Sequence, residues 1–300
     1  MTQMVSALIG TSHLALSAEH GLPMLQMELP ETEASLSVQA IQIERGQRFV
    51  VQRGVAFVPV RGVLTPNSAL LEKYLGWATY HGLAETMAMV TASDEVRAAV
   101  LVFDTPGGAV MGVQAGVEAI RAAAAVKPIH GIIHPLAASA GYWLASQCTD
   151  LALTPGSWVG SVGTMSTSYS AMQPGGSGEQ LFIQTSAHAG AKRPDASTEE
   201  GAKLIQNRID AMEAEFLTDV SKGRNIEQGE ISGRMSRTDS DQDGGDVFWG
   251  VMAQVRGLVD SQETLADFLS RIAGQYAPKP RTQSKAYLAQ AQAALDQSEL

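Results

Sequence analysis

Three short stretches carry residue types able to do chemistry, and they follow one another in a fixed chain order. The first, Phe103-Asp104-Thr105-Pro106-Gly107-Gly108, is an apolar run ending in two glycines. Glycines take φ > 0 and let backbone N–H groups approach a ligand closely, and such N–H pairs are what an oxyanion needs. An ordinary strand-to-helix turn has the same composition. The second is Ala137-Ala138-Ser139-Ala140-Gly141-Tyr142-Trp143-Leu144-Ala145. A serine among small residues, opening a helix after a strand, stands at a sharp turn that exposes Oγ, and the helix N-terminus favours negative charge there. A serine that only caps the helix reads the same way. The third is Ala187-His188-Ala189-Gly190-Ala191-Lys192-Arg193-Pro194. A lysine serves as a general base once desolvation lowers its pKa toward neutrality, and the alanines and glycine beside Lys192 permit that. A solvated loop charge is the competing reading. Each stretch is weak alone, and their combination is far more specific.

The elements that must position these residues follow from periodicity. Residues 1–53 show no clean period and are expected as an irregular arm. Val55–Val60 reads as a strand, and residues 69–92 as one helix with Leu71, Leu75, Leu83, Met87 and Val90 near a 3.6 spacing. Ala98–Phe103 is a continuous apolar run, the mark of a strand covered on both faces. A helix over Val113–Ala125, a strand over Ile129–Ile133, a helix over Ser139–Gln147 and a strand over Leu151–Leu153 come next. A glycine-punctuated turn at 156–163 leads to an expected strand near Thr164–Ser170. A Gly-rich loop, Gln173–Gly178, and a short stretch, Leu181–Gln184, follow it. A long amphipathic helix over 196–223 precedes helices near 248–256 and 262–272. Alternating strands and helices specify a layered α/β fold. Residues 54–275 are expected as one domain, with 276–300 a Gln/Ala-rich tail after Pro278-Lys279-Pro280.

These stretches together resemble the signal peptide peptidase A family of serine peptidases, and within it the phage head maturation (prohead) protease branch. The resemblance runs from about Gly54 to Ile272. Asp104-Thr105-Pro106-Gly107-Gly108, Ser139-Ala140-Gly141-Tyr142, Val159-Gly160-Ser161-Val162-Gly163, Gly190 to Lys192, and Arg256-Gly257-Leu258-Val259-Asp260 carry it. It implies a ClpP/crotonase-like layered fold with a helical C-terminal portion. By the same resemblance Ser139 is the nucleophile and Lys192, 53 positions later, is its general base. Gly108, assisted by Gly107, would supply the oxyanion hole. Ala109 and the Gly160, Ser161, Val162, Gly163 turn would border the substrate groove. The family further implies a homo-oligomer and protein or peptide substrates, here phage scaffold, portal or capsid proteins. Thr105 stands where the family usually has serine, Ala140 where glycine is common, and the acidic stretch Thr238–Asp246 is an expected surface loop.

Composition bounds the alternatives. A chain of 300 residues, 45% hydrophobic, is long enough for a sizeable core. A net charge of −10 argues against surfaces built for nucleic acid or anionic membranes. The single cysteine, Cys148, forms no intramolecular disulfide and is expected buried. The six histidines show no metal-ligand spacing, so no metal or cofactor is expected, and His130 and His134 are read as structural or solvated. No run reaches the ~20 apolar residues of a membrane span, and no leader is evident. A cytoplasmic location, host cytoplasm or prohead interior, is therefore expected. The competing functions are a bacterial signal-peptide-peptidase-like protease, a crotonase-type acyl-CoA enzyme and a non-catalytic assembly protein.

Overall fold

Strands that are apolar on both faces need two covering layers, and the computed structural model shows both. It describes residues 4–6, 13–28, 36–38, 41–43, 48–166, 186, 188–192, 194–238, 240 and 243–276. In chain order these form β1 (Leu14–Leu16), α1 (Ala18–Leu25), β2 (Leu36–Val38), β3 (Ile41–Ile43), β4 (Val50–Gln52), β5 (Val55–Arg61), α2 (Ala69–Leu75) and α3 (Tyr80–Ala92). Next come β6 (Ala98–Thr105), β7 (Gly107–Ala109), α4 (Val113–Ala124), β8 (Ile129–Ala138), α5 (Ala140–Ala145), β9 (Asp150–Leu153) and β10 (Trp158–Gly160). The C-terminal portion is α6 (Glu199–Arg224), α7 (Ile231–Met235), β11 (Val247–Trp249), α8 (Gly250–Val255), β12 (Ser261–Gln262) and α9 (Leu265–Tyr276).

Among the described residues the main sheet runs β11-β10-β8-β6-β5-β4, with β9 beside the first half of β8 and β12 beside β9. β5, β6, β8 and β10 are mutually parallel, while β4 and β11 are antiparallel edges. Successive residues of β6 face opposite ways, as a strand requires. Ala99, Leu101 and Phe103 join the larger core with Leu83, Met87, Val117, Ile120, Trp143 and Phe216 of the covering helices. Val100 and Val102 join Val55, Phe57 and Ile132 in a second core closed by Leu265, Phe268 and Ile272 of α9. This is the layered α/β arrangement with a helical C-terminal portion that the sequence leads one to expect.

The parallel register decides where chemistry can sit. Thr105 at the end of β6 lies beside Ala137 of β8, and Ala138 lies beside Gly160 of β10. Gly107-Gly108, Ser139 and the Gly160–Gly163 turn therefore leave the same end of three adjacent parallel strands. Ligands of open α/β sheets bind at such strand ends.

Several elements differ from expectation. The helix read over 69–92 is two helices. Gly76, at φ 64, ends α2 in the left-handed region, and the Thr79 side chain accepts the Gly82 N–H to start α3. The strand read as Ile129–Ile133 continues to Ala138, its second half leaving β9 for β10. A strand, Trp158–Gly160, lies inside the glycine-punctuated turn. Among its described residues the arm read as irregular holds five elements, β1 to β4 and α1, and β1 is paired to the glycine strand β7. The expected strand near Thr164–Ser170 is described only to residue 166. The Gln173–Gly178 loop, Leu181–Gln184 and the tail beyond Tyr276 lie outside the described residues.

Candidate active site

Ser139 joins β8 to α5 with φ 53 and ψ −123, a conformation that L-residues seldom adopt. It is fixed from both sides: the Ser139 N–H donates to Gly160 O at 2.8 Å, and its carbonyl accepts the Trp143 N–H at 2.9 Å. Its side chain makes no capping hydrogen bond, which removes the helix-cap reading. The hydroxyl instead points toward Gly163 O, 3.5 Å away. Strained serines held by an over-determined backbone cluster at functional sites, because the turn aims Oγ clear of its own helix.

The two glycines of β7 have different duties. The Gly107 N–H is taken by Thr105 Oγ1 at 3.1 Å, and that same hydroxyl donates to Gly62 O at 2.6 Å. Gly107, at φ 103, has no room for a side chain. An added Cβ would strike the Ala15 carbonyl oxygen and lie 2.9 Å from Ser139 Cβ. On the other edge of β7, Leu64 N–H donates to Gly107 O and Ala109 N–H donates to Leu64 O. That pattern turns the N–H and C=O of Gly108 toward the opposite edge, where Ala15 of β1 pairs with it. The Gly107 N–H is thus engaged within the turn, whereas the Gly108 N–H is turned toward β1.

The residues read as bordering a groove differ in exposure. Ala109 is buried and its carbonyl accepts the Tyr80 hydroxyl at 2.6 Å. Gly160 at φ 122 and Ser161 at φ 54 run against Asp246, whose carbonyl accepts the Ser161 N–H at 2.6 Å. Val162 is buried in the larger core, while Gly163 is half-buried and faces Ser139.

Lys192 lies at the surface. It ends an exposed 3-10 turn, Gly190–Lys192, and no hydrogen bond joins it to Ser139 among the described residues. Three features escaped the sequence reading. One is the clamp by Thr105. A second is Asp219 of α6, which accepts from Trp143 Nε1 at 2.8 Å, Gln114 Nε2 at 2.9 Å and Arg121 at 2.8 Å, so pinning α5 behind Ser139. The third is Glu213, whose carboxylate lies beside Gly163 and is pushed above the usual range by burial and by Asp210. The motif Gly257-Leu258-Val259-Asp260 proves to be scaffolding. Leu258 O accepts the Tyr142 hydroxyl of α5 at 3.0 Å, and Asp260 accepts Arg224 and the Leu151 N–H. Among the described residues no group of three His, Cys, Asp or Glu is placed to hold a metal ion, and no helix is long and apolar enough to cross a membrane. Cys148 is buried, its thiol pushed up by desolvation. His130, bonded to Asp150 and Tyr276, and His134, bonded to Thr154, are structural.

A serine on a strained turn, packed beside Gly107 at the end of a parallel sheet, is an arrangement suited to acyl transfer. The chain belongs to peptidase family S49, whose profile matches residues 121–277, just over half of it. It is 27% identical to the capsid assembly protease C of Escherichia phage lambda over 59% of this chain and 41% of that one. It is 26% identical to the head-tail preconnector protein GP5 of Enterobacteria phage P21 over 75% of this chain and 44% of that one. Protease 4 of Salmonella typhi is 29% identical over 60% of this chain and 28% of its own length. The chain thus spans less than half the length of these relatives. Among solved structures, a point mutant of ClpP1 from Listeria monocytogenes superposes with a TM-score of 0.41 at 13% identity, over 70% of this chain and 94% of that one.

Proposed function

We propose that the chain is a serine endopeptidase that processes scaffold, portal or capsid proteins during phage prohead maturation. The observation that carries this reading is Ser139: a nucleophile-type residue in a strained turn, beside Gly107 of the glycine strand, in a chain of peptidase family S49. The names of the phage relatives supply the substrate class. In this reading Oγ of Ser139 attacks the scissile carbonyl while neutral Lys192 takes its proton. The Gly108 N–H, with Gly107 clearing the space, receives the oxyanion. Protonated Lys192 then donates to the leaving amine, and water hydrolyses the ester. Lys192 is exposed in the single chain, so its role as base requires that substrate or a neighbouring protomer of a homo-oligomer desolvate it beside Ser139. Such an enzyme works in the host cytoplasm or within the prohead and needs no cofactor.

The test is casein cleavage by the wild type beside Ser139→Ala and Lys192→Ala. Each variant is expected to lose about 10³-fold or more in rate while keeping a wild-type melting profile, since residues acting as a unit fail together. Undiminished cleavage by either variant overturns its assigned role.

A further inference from the structure

We infer that the segment His13–Ser17 is a substrate of the chain's own site, and that Ser139 cleaves the peptide bond between Ala15 and Leu16. This deepens the reading above and rests on it. The argument begins with backbone pairing. β1 runs antiparallel to β7, with Leu14 opposite Ala109, Ala15 opposite Gly108 and Leu16 opposite Gly107. The flanking bonds are Val110 N–H to His13 O at 3.0 Å and Ser17 N–H to Pro106 O at 2.7 Å. In an antiparallel ladder, bonded pairs alternate with non-bonded ones. Those two flanking bonds make Ala15 and Gly108 the pair whose N–H and C=O groups meet.

The Ala15 carbonyl therefore faces the N–H assigned to the oxyanion. It also lies close to Ser139, because one point, the missing Cβ of Gly107, would touch both the Ala15 oxygen and, at 2.9 Å, Ser139 Cβ. The other edge of the segment is gripped as well: Leu14 N–H donates to Met165 O at 3.1 Å, and Met165 N–H donates to Leu14 O at 2.9 Å. An extended peptide held between two walls by alternate backbone bonds, with its side chains in alternate pockets, is how strand addition recognises a substrate. Here the pockets are filled. Ala15 is fully buried in the larger core, and Leu16 packs with Val63, Leu71 and Trp77 on the other side. Ser139 itself is 1% exposed with the segment in place.

The path continues past the bond to be cut. Ser17 donates to Pro106, and α1 then passes over a cleft of about 450 Å³ lined by His20, Arg61, Trp77, Asp104, Pro106 and Trp158. That cleft would receive the leaving side of other substrates. In the reaction, Ser139 Oγ bonds to the Ala15 carbonyl carbon as the bond to the Leu16 nitrogen breaks. The Oγ proton, carried by the general base, passes to that nitrogen. One water then hydrolyses the Ala15 ester, giving an Ala15 carboxylate and restoring the hydroxyl. The burial of Ala15 further predicts that substrates supplied from outside carry a small residue before the scissile bond.

The experiment is intact mass and N-terminal sequencing of the purified full chain, with casein cleavage measured in the same samples. The wild type is expected to yield a new N-terminus at Leu16, and Ser139→Ala is expected to keep the bond whole. Ala15→Gly, which fits the pocket, is cut; Ala15→Trp, which does not, is cut at least tenfold more slowly. A synthetic peptide of residues 9–20 given to the wild type keeps the test independent of how the variants fold. It is expected to be cut at the same bond, and the same peptide carrying Ala15→Trp at least tenfold more slowly. Casein cleavage with the Ala15–Leu16 bond intact, or cutting of the substituted peptide at the normal rate, overturns this inference and leaves the peptidase reading standing. Absence of both cleavages overturns the two together.

Discussion

At the residue scale the decisive feature is a backbone angle. Ser139 holds φ 53, a conformation that costs an L-residue of order 1–3 kcal/mol and persists only where neighbours over-determine it. The neighbours do so here through the Ser139 N–H to Gly160 and the Trp143 N–H to Ser139. Glycine meets no such penalty. Ser139→Gly is therefore expected to abolish peptide hydrolysis yet raise unfolding stability by about 1 kcal/mol, whereas Ser139→Ala keeps the strain and gains nothing. Chemical melts of the three proteins check this; equal midpoints for Gly and Ala would mean the turn stores no strain. The serine, the two glycines and their chain order were legible only in combination, since each stretch alone also fits an ordinary turn or a helix cap. The division of labour between Gly107 and Gly108 was not. It depends on Thr105 Oγ1 taking one N–H, and a threonine in a sequence does not announce which way its hydroxyl turns.

At the element scale, what the sequence conveyed was set by how local the determining force is. The strand Ala98–Thr105 was legible because eight residues that must be buried on two faces leave no polar alternation. The break between α2 and α3 was written in Gly76 and Thr79, a C-terminal glycine followed by an N-cap, but the apolar period carries across it and hides it. Gly76 at φ 64 is the physical cause, so Gly76→Ala is expected to destabilise the fold by about 1–2 kcal/mol, read as a fall in the urea midpoint at unchanged slope. An unchanged midpoint would show that α2 ends for tertiary reasons alone. β1 was invisible for the opposite reason. Three residues, Leu14–Leu16, have too little period to read, and they are a strand only because β7 and Met165 offer them edges. A segment that lies beside Ser139 was thus one that local pattern could not disclose.

At the scale of the whole molecule, carboxylates join the layers that hold the site, which makes the fold sensitive to acid. Asp219 links α6 to α4 and α5. Burial alone would raise its pKa, but the bonds from Gln114, Trp143 and Arg121 outweigh it and hold the carboxyl below the usual range. On the opposite face Asp150 is likewise held low, burial being outweighed by His130 and Arg271, and it ties β9 to α9. A carboxyl whose folded pKa is depressed contributes stability that is present above its unfolded pKa, near 3.9, and is lost as pH falls through the folded value. Stability is therefore expected to be level from pH 7 to about 5 and to fall steeply below pH 4. Asp219→Asn should lower the urea midpoint at pH 7, since the amide cannot serve three donors as the carboxylate does, and the acid limb should become shallower by the Asp219 share. Because α5 carries Ser139 and rests on Asp219 through Trp143, the variant's peptidase rate should fall more than its stability alone accounts for, with kcat affected before KM. An acid limb as steep as the wild type's would place the linked protons elsewhere, while an unaltered kcat would mean that α5 holds its serine without support from α6.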